Sequence, residues 1–473
     1  MAAWLCALVA CLNAAAWSII TPPFQVPDEP EHVAYVNQIA RTGSLPTKGI
    51  DIFSAEENAA LVGLRLQGTA EQPEIPTISS RAQQAALLRD LRQAETSSET
   101  GSEGAGVATS QPPLYYALQA VPFSLAGGTL LDRIALMRLL SALMGGLTAL
   151  FTYLFLRETL TRAPWAWTVG GLGVALVPLL GFMSGAVNPD AMLYAVTAAA
   201  FFGLARGFRR GLSRRHAIAL GAVIAIGFST KLNFIGLAPG ILLGLIVLSI
   251  RASRSLGRAA YVSLAIALLI AFSPPLLAIL VHVASGGAPL GIVTGSVGSL
   301  HGSLWHELSY VWELYLPRLP GMPSEFAGLS TPRFWFKGYV GLYGWLDTTF
   351  PGWVYELALL PAVLIVGLCV RALIAGAGVL RERIAEIVVY CVMVVGLMVL
   401  VGTTSYLAFP QANAEFAQFR YMLPLIPLLG LILALAAHGA GRRWGPVVGA
   451  GILMLFLGHD IFSQLQEVAR FYG

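Results

Sequence analysis

The sequence predicts an all-α polytopic membrane protein, a bundle of about eleven transmembrane helices beneath an outer cap of two long loops with interfacial helices. Three observations predict it. Of the 473 residues, 56% are hydrophobic and only 11% charged, whereas soluble domains carry roughly 25% charged residues. Apolar runs of about 18–22 residues recur along the chain, each long enough to cross a hydrocarbon core of about 30 Å. Arginine is concentrated in every second connection between those runs.

The runs place spans near 2–20, 135–156, 165–184, 190–207, 217–230, 234–250, 260–282, 352–370, 385–405, 421–438 and 445–462. Five connections carry the arginines. They hold Arg157 and Arg162; Arg206, Arg209, Arg210, Arg214 and Arg215; Arg251, Arg254 and Arg258; Arg371, Arg381 and Arg383; and Arg442 and Arg443. The positive-inside rule assigns these connections to the cytoplasm. The chain then divides into a first span (1–21), an outer loop (22–134), spans two to seven (135–283), a second outer loop (284–350) and spans eight to eleven (351–473). The apolar stretch Gln111–Leu131 would invert every later loop if it crossed the membrane. It is read instead as an interfacial helix anchored by Tyr115, Tyr116 and Phe123. The first span is read as an uncleaved anchor: Ala14, Ala15 and Ala16 suit a signal-peptide cleavage site, but the positive n-region is missing.

The net charge of +4 is small, and no basic stretch is interleaved with aromatics, which argues against a nucleic-acid partner. Cys6, Cys11, Cys369 and Cys391 all fall inside predicted spans, where thiols behave as small hydrophobes rather than as a disulfide framework.

Candidate chemistry begins where the first span ends. In Pro22-Pro23-Phe24-Gln25-Val26-Pro27-Asp28-Glu29-Pro30-Glu31-His32, four prolines stiffen the chain and hold Asp28 and Glu29 at the membrane surface. Pro30 suits a first helical turn, Val33, Val36, Ile39 and Ala40 recur at helical spacing, and Gly43 suits the stop. Asp28 can be read as the cap of that helix. The clustering of Asp28, Glu29, Glu31 and His32 at a lipid boundary favours a second role, because acidic groups there are costly unless paired, cation-bound or used. A carboxylate in that position can act as a general base. Further on, Ser54–Leu66 and Ser79–Glu95 read as Ser-capped helices and Thr96–Thr109 as a polar connector.

Other polar residues gather at the same predicted face. Asn188 and Asp190 sit in the turn Asn188-Pro189-Asp190, as turn formers and helix cap or as substrate or metal ligands alongside His32. Lys231 separates two short spans, a common setting for a polar site. Arg138 and Arg420 open two further spans, and guanidinium matches phosphate with a planar fork of donors. Lys231, Arg138 and Arg420 are therefore the candidate phosphate ligands. The second outer loop is rich in aromatics, of which Trp335, Trp345 and Tyr343 are candidate platforms for a sugar or acceptor. Gly341–Asp347 reads as a tight packed turn. No P-loop, HExxH or dinucleotide-binding pattern is present in the sequence.

The succession of these motifs resembles the GT-C superfamily of polyprenyl-phosphate-sugar-dependent glycosyltransferases. It runs from the acidic pair, through Pro112-Pro113-Leu114-Tyr115-Tyr116 and Met137-Arg138-Leu139-Leu140-Ser141, to the Asn-Pro-Asp turn and Thr230-Lys231. More narrowly, the proline-framed acidic motif, Tyr343-Gly344-Trp345-Leu346-Asp347 and Arg420-Tyr421-Met422-Leu423-Pro424 resemble a domain-of-unknown-function branch of bacterial predicted membrane proteins. That branch is related to protein O-mannosyltransferases and aminoarabinose transferases. The resemblance implies a GT-C-like bundle in the bacterial plasma membrane with its site facing the periplasm or exterior. It implies inverting transfer of a monosaccharide from a polyprenyl-phosphate donor, such as decaprenyl or undecaprenyl phosphate, to a cell-envelope glycan or lipid. Asp28 would be the base and Glu29 its assistant or a cation ligand, while Lys231, Arg138 and Arg420 would stabilise the leaving lipid phosphate. A divalent cation, Mg or Mn, is a possible cofactor, since some members need one. Where the family often has His-Pro-Pro, this chain has Gln111-Pro112-Pro113. The competing readings are a lipid-linked glycan transporter or flippase, or an envelope polymerase or ligase. The gathering of ionisable groups at one edge and the lack of a visible internal repeat weigh against a transporter.

Overall fold

In the computed structural model the described residues are 1–46, 52–64, 80–95, 100–103, 106–161, 163–284, 303–326, 330–408 and 418–472. Arg162, Leu66, Ser79 and the first part of the second outer loop, 285–302, lie outside them. Nineteen helices are described. In chain order they are α1 (Ala2–Ile20), α2 (Glu29–Thr42), α3 (Ala55–Gly63), α4 (Arg81–Ala94), α5 (Leu114–Leu125), α6 (Leu130–Thr159), α7 (Pro164–Ala175), α8 (Pro178–Ser184), α9 (Asp190–Arg210) and α10 (Arg214–Thr230). Then follow α11 (Ala238–Leu256), α12 (Arg258–Ala284), α13 (Leu304–Tyr315), α14 (Thr331–Gly341), α15 (Gly352–Ala375), α16 (Ala377–Glu382), α17 (Ile384–Ala408), α18 (Ile426–Gly439) and α19 (Gly441–Tyr472).

Nine helical stretches among the described residues are long and apolar enough to cross a membrane, and α7 with α8 forms a tenth if that pair, bent by 56°, is one span. The bend falls at Pro178, which offers no N–H, after an extended Val177. The remaining expected span is α10, whose 17 residues stand at the short limit for crossing. The last span is longer than its apolar core: α19 runs for 32 residues and carries Asp460, Ser463 and Glu467 on a buried face. Helix α5, with 12 residues, is too short to cross. Its Tyr115, Tyr116 and Phe123 were expected to anchor in the interface, but all three are buried. Tyr116 stacks on Tyr35 of α2 with centroids 3.7 Å apart, and the Tyr115 hydroxyl meets Ser141 of α6 at 2.9 Å. The hydroxyls find protein partners there, so the rings turn inward.

Two charge systems occupy opposite ends of α6. At its C-terminal end Glu158 pairs with Arg209 at 3.1 Å and Arg210 at 2.7 Å, and Arg383 Nη1 donates to the Thr159 carbonyl at 2.5 Å. At its N-terminal end Glu56 of α3 accepts the Leu130 N–H at 2.6 Å and pairs with Arg133, placing a carboxylate on the positive end of the helix dipole. A capping box at Ser54 and Glu57 starts α3, as expected, while α4 is capped by Ser80, one residue after the expected Ser79 start. Part of the expected connector is ordered: strand Thr100–Glu103 pairs with Ile52–Ser54. The expected turn near residue 344 is a two-stranded hairpin, Leu342–Tyr343 against Thr348–Thr349, with Gly344 at φ 59°.

Small residues let the spans close. A Cβ on Gly170 of α7 would collide with the Gly430 carbonyl and Leu156, whereas Gly451 of α19 has open space around it. Gly170→Val is therefore expected to destabilise the bundle by about 1–3 kcal/mol, the usual cost of overpacking. It should be read as a lowered melting temperature in detergent, with Gly451→Val unchanged; equal melting of both variants would refute this packing.

Candidate functional site

The proline-framed motif is held by one buried ion pair. Glu29, fully buried, accepts four hydrogen bonds: from Arg138 Nε at 2.8 Å and the Val187 N–H at 2.9 Å on Oε1, and from Arg138 Nη2 at 2.6 Å and the Phe24 N–H at 2.7 Å on Oε2. Arg138 spends its other donors on carbonyls, Nη1 on Ser18 at 3.0 Å and Thr21 at 2.7 Å, and Nη2 on Pro22 at 3.1 Å. All five guanidinium donors and all four carboxylate acceptor sites are used. This corrects the expectations that Glu29 assists catalysis or holds a cation and that Arg138 binds phosphate. Neither has a bond to spare.

The pair fixes where Asp28 points. Asp28 occupies the N-cap position of α2 at φ 65°, in the left-handed region, and its side chain does not cap the helix. It reaches instead to Arg420, whose Nη2 donates to Oδ2 at 2.5 Å. Gly43 stops α2 as expected, at φ 69°. Phe24, at φ 68°, is a second non-glycine residue in the left-handed region of this turn. Such strain persists where surrounding contacts over-determine it, and it clusters at functional sites.

Around Asp28 the structure gathers residues from distant parts of the chain. Asn188 Nδ2 and Arg420 Nη1 both donate to the Pro27 carbonyl, at 3.2 and 3.3 Å. Asn188 Oδ1 accepts the Asp190 N–H at 3.0 Å, and Lys231 Nζ donates to Asp190 Oδ1 at 2.8 Å. Tyr421 lies between the cations, its ring centroid 5.0 Å from the Arg420 guanidinium and 5.9 Å from Lys231 Nζ. The Tyr194 hydroxyl donates to the Arg420 carbonyl at 3.1 Å. His32 is buried beside them, its Nδ1 3.0 Å from the Tyr116 hydroxyl. The predicted residues Asp28, His32, Asn188, Asp190, Lys231 and Arg420 thus share one cluster. Several of its buried polar atoms have no hydrogen-bond partner: Asp190 Oδ2, Arg420 Nε, His32 Nε2 and Glu31 Oε2. A bound polar ligand or water would satisfy these four atoms.

The charges are tuned by burial and by each other. Burial pushes the Asp28 carboxyl up, but the charge and hydrogen bond of Arg420, together with the smaller effects of His32 and Lys231, outweigh it and hold the group at about 2. Burial, with the Asp28 charge, pushes Glu31 up to about 7. Burial pushes the His32 imidazole down to about 3, so it is neutral at physiological pH. Glu31, Tyr116, Tyr194 and Tyr421 were not singled out as site residues from the sequence; only Glu31, inside the acidic motif, carried a signal. The donor set does not suit a divalent cation. Among the described residues no three His, Cys, Asp or Glu side chains are grouped to hold one, and Asp28 and Asp190 each face a cation already.

The aromatic expectations divide. Tyr343 is buried against Trp17 and Phe182 and donates to Ser463 at 2.9 Å, so it has no open face to offer a sugar. Trp345 is half-buried, with Nε1 donating to the Phe24 carbonyl of the acidic turn at 3.1 Å. Trp335, also half-buried, donates to Leu314 and stacks on Tyr315.

Fold and site together define a polytopic α-helical membrane protein with a buried cluster of carboxylates and cations at one end of its bundle. A family profile matches residues 11–429, and the chain belongs to that family, the predicted membrane proteins designated DUF2142. Among solved structures it is similar to ArnT from Cupriavidus metallidurans in the apo state, with 13% identity and a TM-score of 0.46 over 98% of this chain and 73% of that one. It is similar as well to the same protein bound to undecaprenyl phosphate, with 14% identity and a TM-score of 0.46 over 98% and 74% of the two chains. No curated protein matches the sequence.

Because removing one partner strands a buried charge, Arg138→Ala and Glu29→Gln are each expected to cost about 3–5 kcal/mol. Asp28→Asn should cost less than either, because the Asp28 side chain is partly exposed where Glu29 is fully buried and Asn keeps both the left-handed backbone and an oxygen for Arg420. Thermal melts of purified protein check both. Unchanged stability on losing Arg138 would overturn the structural role given to the pair.

Proposed function

We propose that this protein is an inverting GT-C glycosyltransferase. It moves a monosaccharide from a polyprenyl-phosphate donor to a cell-envelope glycan or lipid acceptor, at the face of the bacterial plasma membrane turned away from the cytoplasm. One observation carries the reading: the Asp28–Arg420 and Asp190–Lys231 pairs lie side by side, with unpaired polar atoms among them. The motif resemblance supports it, because Asp28, Lys231 and Arg420 are the residues to which that resemblance assigns base and phosphate roles.

The acceptor oxygen attacks the anomeric carbon while the bond from that carbon to the phosphate oxygen breaks, so configuration inverts. Negative charge grows on the departing lipid phosphate, and Lys231 and Arg420 stabilise it in a setting with little water to screen them. A phosphate competes with Asp28 for Arg420. As the guanidinium turns to the phosphate, the Asp28 carboxylate loses its strongest stabilising neighbour and becomes a better base for the acceptor's proton. Glu31, one helical turn along and titrating near 7, accepts that proton onward. Neutral His32 offers Nε2 to a sugar hydroxyl, Asn188 holds the turn beneath, and Trp345, hydrogen-bonded to the acidic turn, offers a ring surface to sugar or acceptor.

The test is sugar transfer by purified protein in lipid, with a panel of polyprenyl-phosphate sugars and envelope acceptors. Asp28→Asn should lower transfer about 10²–10⁴-fold, the range for losing a general base. Lys231→Met should lower it by about 10²–10³, as for a lost oxyanion donor. Full transfer by Asp28→Asn would sink the assignment of the base. In wild type the rate should climb as pH rises through about 7, where Glu31 ionises. Glu31→Gln should flatten that limb, and an unchanged pH profile would remove Glu31 from the proton path.

A further inference from the structure

A cavity of about 460 Å³ lies behind the acidic turn, outside the cluster just described. Its size is that of a small-ligand site, for which about 300–1,000 Å³ is usual. One wall is a stripe of α6, Leu131, Ile134 and Ala135, at helical spacing and ending at Arg138. A second is the end of α1, with Ile19 and the Pro22-Pro23 pair. The packed pair α3 and α4 supplies the third through Leu64, Leu87 and Leu88. None of Asp28, Asp190, Lys231 or Arg420 lines it.

The walls grade from apolar to polar. Ile19 is 79% exposed, and the outward faces of α6 next to the stripe, at Leu136 and Leu139, are exposed too, so the apolar side opens onto the bundle's lipid-facing surface. The α4 side carries Ser80, Gln84 and an exposed Arg81 at the rim. Arg138 forms part of the floor, but its donors are all committed to Glu29 and to backbone carbonyls. The rim cation is therefore the one placed to meet a ligand's charge.

We infer that this cavity holds the hydrocarbon tail of an anionic membrane phospholipid, with its headgroup at Arg81. An apolar slot opening sideways to lipid selects an aliphatic chain, and a basic residue at the interface selects a negative headgroup. The site is separate from the one proposed for sugar transfer and does not rest on that proposal. It touches the same strut, since the Pro22 carbonyl and Arg138 belong to both, so a bound lipid braces the turn that presents Asp28.

The experiment is photolabelling of the full-length protein in phosphatidylcholine nanodiscs. The probe is phosphatidylglycerol carrying a diazirine in its acyl chain, and a phosphatidylcholine probe of the same chain serves as the comparison. Labels should concentrate on peptides 81–94 and 131–138, well above the lipid-facing surface of α15 around Leu360. The glycerol headgroup should be preferred by about fivefold, the effect expected of one basic residue at an anionic headgroup. Ala135→Trp, and independently Leu88→Trp from the opposite wall, should abolish that labelling with melting temperature retained, and Arg81→Glu should erase the headgroup preference. Labelling equal to that around Leu360, or labelling untouched by both tryptophans, would overturn the inference. Displacement of the label by a polyprenyl phosphate but not by unlabelled phosphatidylglycerol would overturn it as well, by assigning the cavity to that lipid.

Discussion

The Arg138–Glu29 pair is the constraint on which the candidate site depends. It joins the start of α6 to the turn after α1 across 109 residues of sequence, with both charges almost wholly out of water. A buried ion pair is poor evidence for stability in itself, because desolvating two charges costs several kcal/mol each. Its value here is directional. The five donors of a planar guanidinium demand acceptors in fixed places, and four of those acceptors belong to the turn: two Glu29 oxygens and the carbonyls of Thr21 and Pro22. Lysine could supply the charge but not that geometry. With the turn fixed, Asp28 has one place to go, and the left-handed backbone there is stabilised from outside the residue.

The rest of the charge distribution follows from what each end of the bundle must do. The end near Thr159 gathers Arg206, Arg209 and Arg210 around Glu158 and pairs Arg383 with Glu386, an arrangement that leaves excess positive charge. The opposite end pairs its buried cations one to one, Arg420 with Asp28 and Lys231 with Asp190. A neutral, paired cluster is tolerable at a membrane boundary where unpaired charges are not. In the proposed reaction it would accept the lipid phosphate by exchanging partners, which a preformed positive hole could do only by carrying uncompensated charge until the ligand arrived.

Much of this was legible in the sequence, and the parts that were not share a physical cause. Span positions, the serine cap at Ser54, a serine start to α4 found one residue later than expected, the Gly43 stop and the Gly344 turn are local signals, set by hydropathy, capping chemistry and backbone freedom within a few residues. The break at Pro178 and the buried polar face of α19 were missed although both are written locally; the apolar run through 165–184 hid one, and the weaker hydropathy past residue 462 hid the other. The gathering of Asp28, Asn188, Asp190, Lys231 and Arg420 was reached through charge at a common predicted face, which topology alone supplies. Partnership was beyond that method. Arg138 and Arg420 look alike from the sequence, each an arginine at the mouth of a span, and only the fold shows that one is saturated and the other keeps an unpaired Nε. Tyr343 and Trp345, two residues apart, likewise separate into core and half-buried surface according to which side of a tight hairpin each occupies.

The contrast between Glu29 and Asp28 carries this furthest. They are adjacent carboxylates on one turn, and a cap reading suits Asp28 better than Glu29. The structure distributes the roles otherwise. Glu29, with the longer side chain, reaches back under the turn to the guanidinium of Arg138, while Asp28 forgoes its own helix and reaches forward to Arg420. A cap bond would have tied Asp28 to the first backbone N–H groups of α2 and made its carboxylate part of the scaffold. Tied to Arg420 instead, whose Nε keeps no partner, the carboxylate stays outside the helix scaffold and, in the proposed reaction, would be released when the lipid phosphate competes for that arginine. The left-handed backbone at Asp28 is thus tied to the side chain's release from capping duty, and the saturated pair next to it is what makes that conformation tolerable.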